Sequence, residues 1–549
     1  MAATELKPQR EAEAGTAGLT AVLAGRRWVW PAGFVLGALV LFAIYLRQAA
    51  AFPIQSDGAS NALQSWDMLH GNWLLHGWTL TDLSFYTLDL PEYALVEAVH
   101  GLNAGSAHIA TALTYTLVVV CAALLAKGRA DGREGLVRVL MVVGIMLTPP
   151  MLTGAATYLS DPDHTLTQVP LLLVWLLLDR FADRPRVLVP VAIAALLAWS
   201  LVADPLVTYE GILPIVFVCA LRLYRDRTVV AREPRRFWYE GALIAAALVA
   251  AAAGSLALRF IARAGGFNVT PPDTTFVQVQ DVYRHLWVTA QSVLELFGAN
   301  FSGHQLGLSA APELICLVGV ALAAWATGRA LRRFNSVDMA TQVLVVALIA
   351  LLISYTFSGD PNVVGGPHEI VGVLPIGAVL AARKLTVPII DGRHLPAFAA
   401  LLACFGLVLA HDVVQPPPPN PDSQLATWLD GHHLDYGLAT WWQASAVTLD
   451  SGGTVLVRPV NRNEASGHLM SLQRDSIASW YTASQHDARF LILPDFHMSC
   501  VNGTHYQWMK TVNDDFGAPA GKYRVAGFTI YVWNHNILGH VGKPEGGAC

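Results

Sequence analysis

Four short acidic stretches carry the residue types for proton transfer or cation binding. Asp57 stands in QSDGAS, and Asp161, Asp163 and His164 form SDPDH. Asp204 and Glu210 bracket the turn DPLVTYE, and His368 and Glu369 follow GGP. A carboxylate such as Asp57 can act as a general base toward a hydroxyl. Asp57, Asp161 and Asp163 together could instead hold a divalent cation through hard oxygen ligands. Such a cation would keep the carboxylates ionised and neutralise a phosphate leaving group. Each stretch also has a plainer reading: Asp57-Gly58 as a turn or helix cap, Asp161-Pro162 and Asp204-Pro205 as caps, Asp163-His164 as a hydrated turn, and His368-Glu369 as an interfacial pair. For Asp204 the cap is the better reading, which leaves Glu210 as the functional candidate of that turn. Convergence at one face is what favours chemistry for the rest, and convergence depends on the elements between them.

Those elements are apolar spans. The chain has 549 residues, 54% of them hydrophobic and only 14% charged. A soluble domain carries nearer a quarter charged residues, whereas runs of about 20 apolar residues mark membrane spans. Hydropathy places spans at 28–47, 106–126, 136–157, 165–179, 187–203, 206–223, 240–262, 311–328, 339–357, 367–382 and 396–413. Lys and Arg gather before the first span and after the second, fourth, sixth, eighth and tenth, as Arg26, Lys127, Arg180, Arg222, Arg329 and Arg383 illustrate. Positive charge accumulates on the cytoplasmic side. The expected topology therefore has a cytoplasmic N-terminal tail (1–27), about eleven spans within 28–414 and an outer C-terminus, in the plasma membrane. All four acidic stretches then lie at the outer face. The tail is polar and lacks an A-x-A-like site, so no cleavable signal peptide is expected. The net charge of -5 implies no nucleic-acid partner.

Two outer loops, 52–105 and 263–310, are too long for simple connections. Residues 62–75 and 276–298 have the apolar spacing of helices lying in the interface. After a Pro-rich linker at 415–422 the composition changes: 424–434 reads as a helix, and 454–460, 489–495 and 522–533 as strands. The expected fold is thus mainly α, a polytopic helical bundle with a small extracytoplasmic α/β domain at 423–549. Cys121, Cys219, Cys316 and Cys404 fall in spans as inert apolar residues. Cys500 and Cys549 fall outside, where a disulfide could form.

The layout resembles the GT-C superfamily of membrane glycosyltransferases, which includes protein O-mannosyltransferases and aminoarabinose and arabinosyl transferases. The matching features are one span, a long first outer loop, and an acid at its start, here Asp57 in QSDGASNALQSWDML. Asp161 and Asp163 match a second acidic site. GGPHEIVGVLPIGAVLAAR matches the beginning of a late span, with His368 in the basic position and Pro375 as its proline. The family commonly has a second acid after the first; Gly58 stands there instead.

The resemblance implies a hexosyl- or pentosyltransferase that uses a sugar on a polyprenyl phosphate. Its acceptor would be an envelope glycan, lipid or protein, and membrane lipids would surround it. Asp57 would be the base of an inverting displacement. Asp161 and Asp163 would bind a cation or orient donor or acceptor, His164 would be a donor or acceptor contact, and His368 would contact the lipid phosphate as donor or cation. Glu210, Glu369 and Glu92 would be further donor or acceptor contacts. The cofactor is either none or a divalent cation, Mg or Mn. The outer domain would serve as lid or acceptor platform. A non-catalytic GT-C-like assembly factor, and a lipid or polysaccharide transporter, stand as alternatives. The transporter is disfavoured because the polar residues gather at span ends rather than at midplane.

Overall fold

The computed structural model describes residues 28–147, 154–160, 163–225, 234–270, 275–302, 307–359, 361, 366–463, 465–495 and 505–543. Asp161, Cys500 and Cys549 lie outside these residues.

Helix occupies most of each expected span. In chain order these helices are α1 (Val29–Ala49), α4 (Ala104–Lys127), α5 (Gly132–Met146) with α6 (Gly154–Leu159), α7 (Gln168–Phe181), α8 (Leu188–Ala203), α9 (Leu213–Arg225), α10 (Pro234–Arg263), α12 (Ala311–Arg332), α13 (Met339–Phe357), α14 (Val373–Ile390) and α15 (Leu395–Val414). Six of them are long and apolar enough to cross a membrane. At 1.5 Å per residue, 20 residues reach about 30 Å, the thickness of the hydrocarbon core. α4 is the central one: 72% of its most apolar window is buried, against 11% for α1. Local chemistry fixes the ends. The Asn103 side chain accepts the Ser106 N–H at the start of α4, 3.1 Å away. Asp338 does the same for Thr341 at the start of α13, at 2.9 Å.

The long first loop forms α2 (Ser56–Leu69), β1 (Trp78–Leu80) and α3 (Asp89–His100). The second contains β2 (Asn268–Val269) and α11 (Val282–Leu296). Around α11, Val279, Tyr283 and Trp287 stay exposed, as suits a helix lying on lipid. Trp78 and Tyr93, by contrast, are buried, so these two aromatics belong to the core and not to an interfacial belt.

The C-terminal part is an α/β unit with α16 (Pro421–Gly431), β3 (Tyr436–Ala439), α17 (Trp441–Asp450), β4 (Leu456–Arg462), β5 (Leu469–Ser471), β6 (Ser476–Ile477), β7 (Phe490–Pro494), α18 (His505–Phe516), β8 (Gly521–Val525) and β9 (Phe528–Val532). Its main sheet has the order β5-β4-β3-β7-β9-β8. β3 runs parallel to both β4 and β7. A second, small sheet joins three distant parts of the chain in the order β2-β1-β6. Thr79 pairs with Asn268 on one side, and Trp78 pairs with Ile477 on the other. This sheet anchors the C-terminal unit to both long loops. α17 also lies against α2, where Ser56 Oγ donates to Trp441 O at 2.6 Å and Ser60 meets Ser445 at 3.0 Å.

Candidate active site

Asp57 sits in the first turn of α2, where the helix dipole favours a negative charge. Its residue is only 7% exposed. Burial pushes its carboxyl up to about 6; Arg474 and His164 pull it down, and Asp82 pushes it further up. Desolvation disfavours the charged form, and this is the dominant effect. A carboxyl with this shift can take up a proton near neutral pH.

His164 is the hub beside it. It adopts a left-handed backbone, φ 58°, a region that His tolerates better than most residues. Its Nδ1 lies 2.9 Å from Asp204 Oδ2, and its Nε2 lies 3.4 Å from Glu369 Oε2. Burial opposes its positive charge, but the two carboxylates outweigh burial and hold the imidazole protonated well above its usual range. The reciprocal effect appears on Glu369. Burial alone would raise it, yet His164 holds it down at about 2. His368 stacks on His164 with ring centres 6.1 Å apart. Burial lowers His368 to about 4, with His164 and Arg474 acting in the same direction. His368 is therefore a neutral donor or acceptor at pH 7 and not the cation of the site.

Besides the His164 imidazolium, the cation is Arg474, from the segment between β5 and β6. Its guanidinium lies 4.5 Å from the ring centre of Trp441, a cation–π arrangement. Its Nε is buried with no acceptor among the described residues. Its charge bears on Asp57, Asp82, His368, Glu369 and Asp475. The adjacent Asp475 accepts from Gln64 Nε2 at 3.2 Å, between residues 411 apart in the chain. Burial raises Asp475 to about 7, helped by the charge of Asp57. Asp82, after β1, is raised by burial and then by Glu369.

The other expected residues are placed differently. Asp163 is buried next to His164. Glu210 is fully buried, where Gln168 Nε2 donates to it at 3.2 Å. Glu92 accepts from Thr114 Oγ1 of α4 at 2.6 Å, so its partner belongs to a span. Asp204 exceeds the capping role expected of it: Oδ1 accepts the Leu206 N–H at 2.8 Å while Oδ2 holds His164. Among the described residues no three His, Cys, Asp or Glu side chains are set to share a metal ion. Asp161, the third residue of the cation set expected with Asp57 and Asp163, lies outside the described residues, and Arg474 brings positive charge to bear on Asp57. Cys121, Cys219, Cys316 and Cys404 form no disulfide among the described residues.

Two glycines make room for this arrangement. A Cβ at Gly58 would stand 3.2 Å from Ile54 Cγ2 and 3.5 Å from the Tyr93 hydroxyl, so a side chain here would be tight against Ile54. A Cβ at Gly372 would overlap the Glu210 carboxyl and lie 3.0 Å from Gln168 Oε1. Overpacking of this kind costs about 1–3 kcal/mol. Gly372→Ala is expected to lower the melting temperature by several degrees in detergent; an unchanged melting curve would contradict this packing.

Sequence reasoning did not reach Arg474, Asp475 or Asp82. Arg474 and Asp475 stand in LQRDSI, whose only local signal is the short strand that follows. Asp82 was one acid among several in the first loop.

No protein-family model matches the sequence, and no curated protein matches it significantly. Solved structures do match. ArnT from Cupriavidus metallidurans in the apo state is 12% identical, with 94% of this chain and 99% of that chain covered and a TM-score of 0.58. The same protein bound to undecaprenyl phosphate gives 12% identity, 95% and 100% coverage, and a TM-score of 0.57. The Archaeoglobus fulgidus oligosaccharyltransferase complex with Zn and sulfate gives 13% identity over 84% of this chain and 68% of that one, with a TM-score of 0.49. The ArnT likeness is one of fold and runs through the helical part and the C-terminal unit alike: this chain has the fold of ArnT.

Proposed function

We propose that the protein is a membrane glycosyltransferase that moves a sugar from a polyprenyl-phosphate donor to a hydroxyl of an envelope acceptor, at the outer face of the plasma membrane. The observation that carries this reading is a carboxylate that burial pushes up to about 6, under the influence of the Arg474 charge, whose guanidinium has a buried Nε with no acceptor among the described residues. It is supported by the fold, since a protein of that fold is solved with undecaprenyl phosphate bound. The N-terminus lies inside and the C-terminal unit outside, as the distribution of Lys and Arg implies.

In this reaction Asp57 takes the proton of the acceptor hydroxyl. The oxygen forms a bond to the anomeric carbon from the face opposite the phosphate. The bond from that carbon to the phosphate oxygen breaks, and its electron pair leaves with polyprenyl phosphate. Configuration inverts. Arg474 faces the developing phosphate charge, and a preorganised cation there stabilises the transition state more than the ground state. His164, tied to Asp204 and Glu369, adds positive potential without leaving its place. His368 offers a neutral hydrogen bond to donor or acceptor.

The test is transfer by purified protein from polyprenyl-phosphate sugars to envelope extracts, with release of polyprenyl phosphate as readout. The deprotonated carboxylate is the active form. The rate should therefore rise as pH increases through about 6, falling tenfold per unit below it, and then level. Failure to release polyprenyl phosphate from any such donor would refute the proposal; a rate flat from pH 5 to 7 would remove Asp57 as the base.

A further inference from the structure

The face opposite Asp57 holds a cavity of about 1750 Å³. It lies at the far ends of the helices that lead to the site: α4 starts near Asp57 and ends at Lys127, about 35 Å away by helical rise. Its walls come from the α4–α5 turn and the start of α5, the α7–α8 turn, the end of α9, the middle of α14, and the α12–α13 turn. Six arginines line it, Arg129, Arg138, Arg184, Arg186, Arg222 and Arg383, against four carboxylates.

Arginines that only set topology extend into water. Several of these do not. Arg383 and Arg222 have side chains only 9% and 16% exposed. Arg383 is fixed to Asp179 at 2.5 Å and to Asp338 at 3.2 Å. Arg222 is fixed to Glu240 at 2.8 Å, and Arg129 to Asp183 at 2.6 Å. These pairs neutralise the carboxylates and make a rigid wall. Arg184 and Arg186, on the α7–α8 turn, have no ion pair among the described residues, so the positive excess is theirs. Arg138 is paired with Glu134 at 2.5 Å through a terminal nitrogen and still keeps a buried Nε with no acceptor among the described residues, and a buried donor without a partner calls for one. Trp238, at the start of α10, lines the same cavity and is 44% exposed. An aromatic with one side free is typical of the membrane–water boundary.

We propose that this cavity is a second binding site, for a phosphate-bearing anion. Guanidinium groups on fixed stems match phosphate oxygens in pairs. Basic pockets between spans on the cytoplasmic side hold anionic lipid headgroups, and the headgroup phosphate of an inner-leaflet lipid is the expected occupant. A soluble polyphosphate presents the same chemistry. The site does not depend on catalysis at Asp57.

The test is thermal unfolding of the full chain in a non-ionic detergent, with phosphatidylglycerol, phosphatidylcholine or inorganic triphosphate added. Phosphatidylglycerol should raise the melting temperature of the wild type by at least about 2 °C and phosphatidylcholine should not. The double variant Arg184→Gln/Arg186→Gln should lose the shift while melting normally without lipid. These residues lie on an exposed turn; should the pair fail to fold, Arg186→Gln alone serves. A shift with triphosphate that the variant also loses would support the site and assign it to a soluble anion. A shift of equal size in wild type and variant, an equal shift with phosphatidylcholine, or no shift with either anion would overturn the proposal.

Discussion

Asp57→Asn should reduce the rate of sugar transfer by about 10²–10⁴-fold, the usual contribution of a general base, with donor binding little changed. Asn has the shape of Asp but cannot take a proton. The substitution also removes a charge that burial disfavours, so the variant should melt no lower than the wild type. That separates a chemical loss from a folding loss. Burial alone is a common fate for an acid at a helix start, and a structural Asp57 would show the reverse pattern: activity within a few-fold of wild type and altered stability. Stopped-time assays of transfer with a melting curve on the same preparation decide between the two.

The second large effect is expected at Arg474. Arg474→Gln leaves Asp57, Asp82, Asp475 and Glu369 grouped without the guanidinium that bears on all four. Loss of one preorganised charge at a developing anion reduces rate by about 10²–10³-fold. A second readout follows from the sign of the coupling. Arg474 holds the Asp57 carboxyl down, so its removal should move the acid limb of the pH–rate profile to higher pH. A residue that merely packs against Trp441 would lower activity without moving that limb. Arg474→Lys should restore part of the rate, since it returns the charge but not the planar group that lies over the indole. An unshifted acid limb in Arg474→Gln would remove Arg474 from the site.

How much of this was legible in the chain follows from what hydropathy encodes. Spans are written in local composition, and helix occupies each expected segment. Asp57 and His368 were legible because they stand at fixed places relative to those spans. Asp204 was read as a cap because its neighbour is Pro205, and the cap is there; a carboxylate has two oxygens, and only the fold shows that the second holds His164. KYRVAGFTIYVW was read as one strand. It is a hairpin, turned at Ala526 and Gly527 with φ of 52° and 86°, and Ala-Gly lacks the Asn-Gly signature of such turns. Arg474 was illegible for a different reason. Its place at Asp57 is decided by β6 and β1, strands of two and three residues, too short to leave a periodic pattern.

The small sheet also sets an order of events. β1 and β2 emerge early and midway along the chain, and β6 comes only after the last span. A ribosome delivers them in that order, and domains generally fold as units while synthesis proceeds. Until β6 seats on β1, the membrane part holds Asp57, Asp82 and Glu369 but lacks Arg474 and Asp475. Under the proposed function the site is therefore complete only when the final quarter of the chain has docked, and a half-made chain would not transfer sugar.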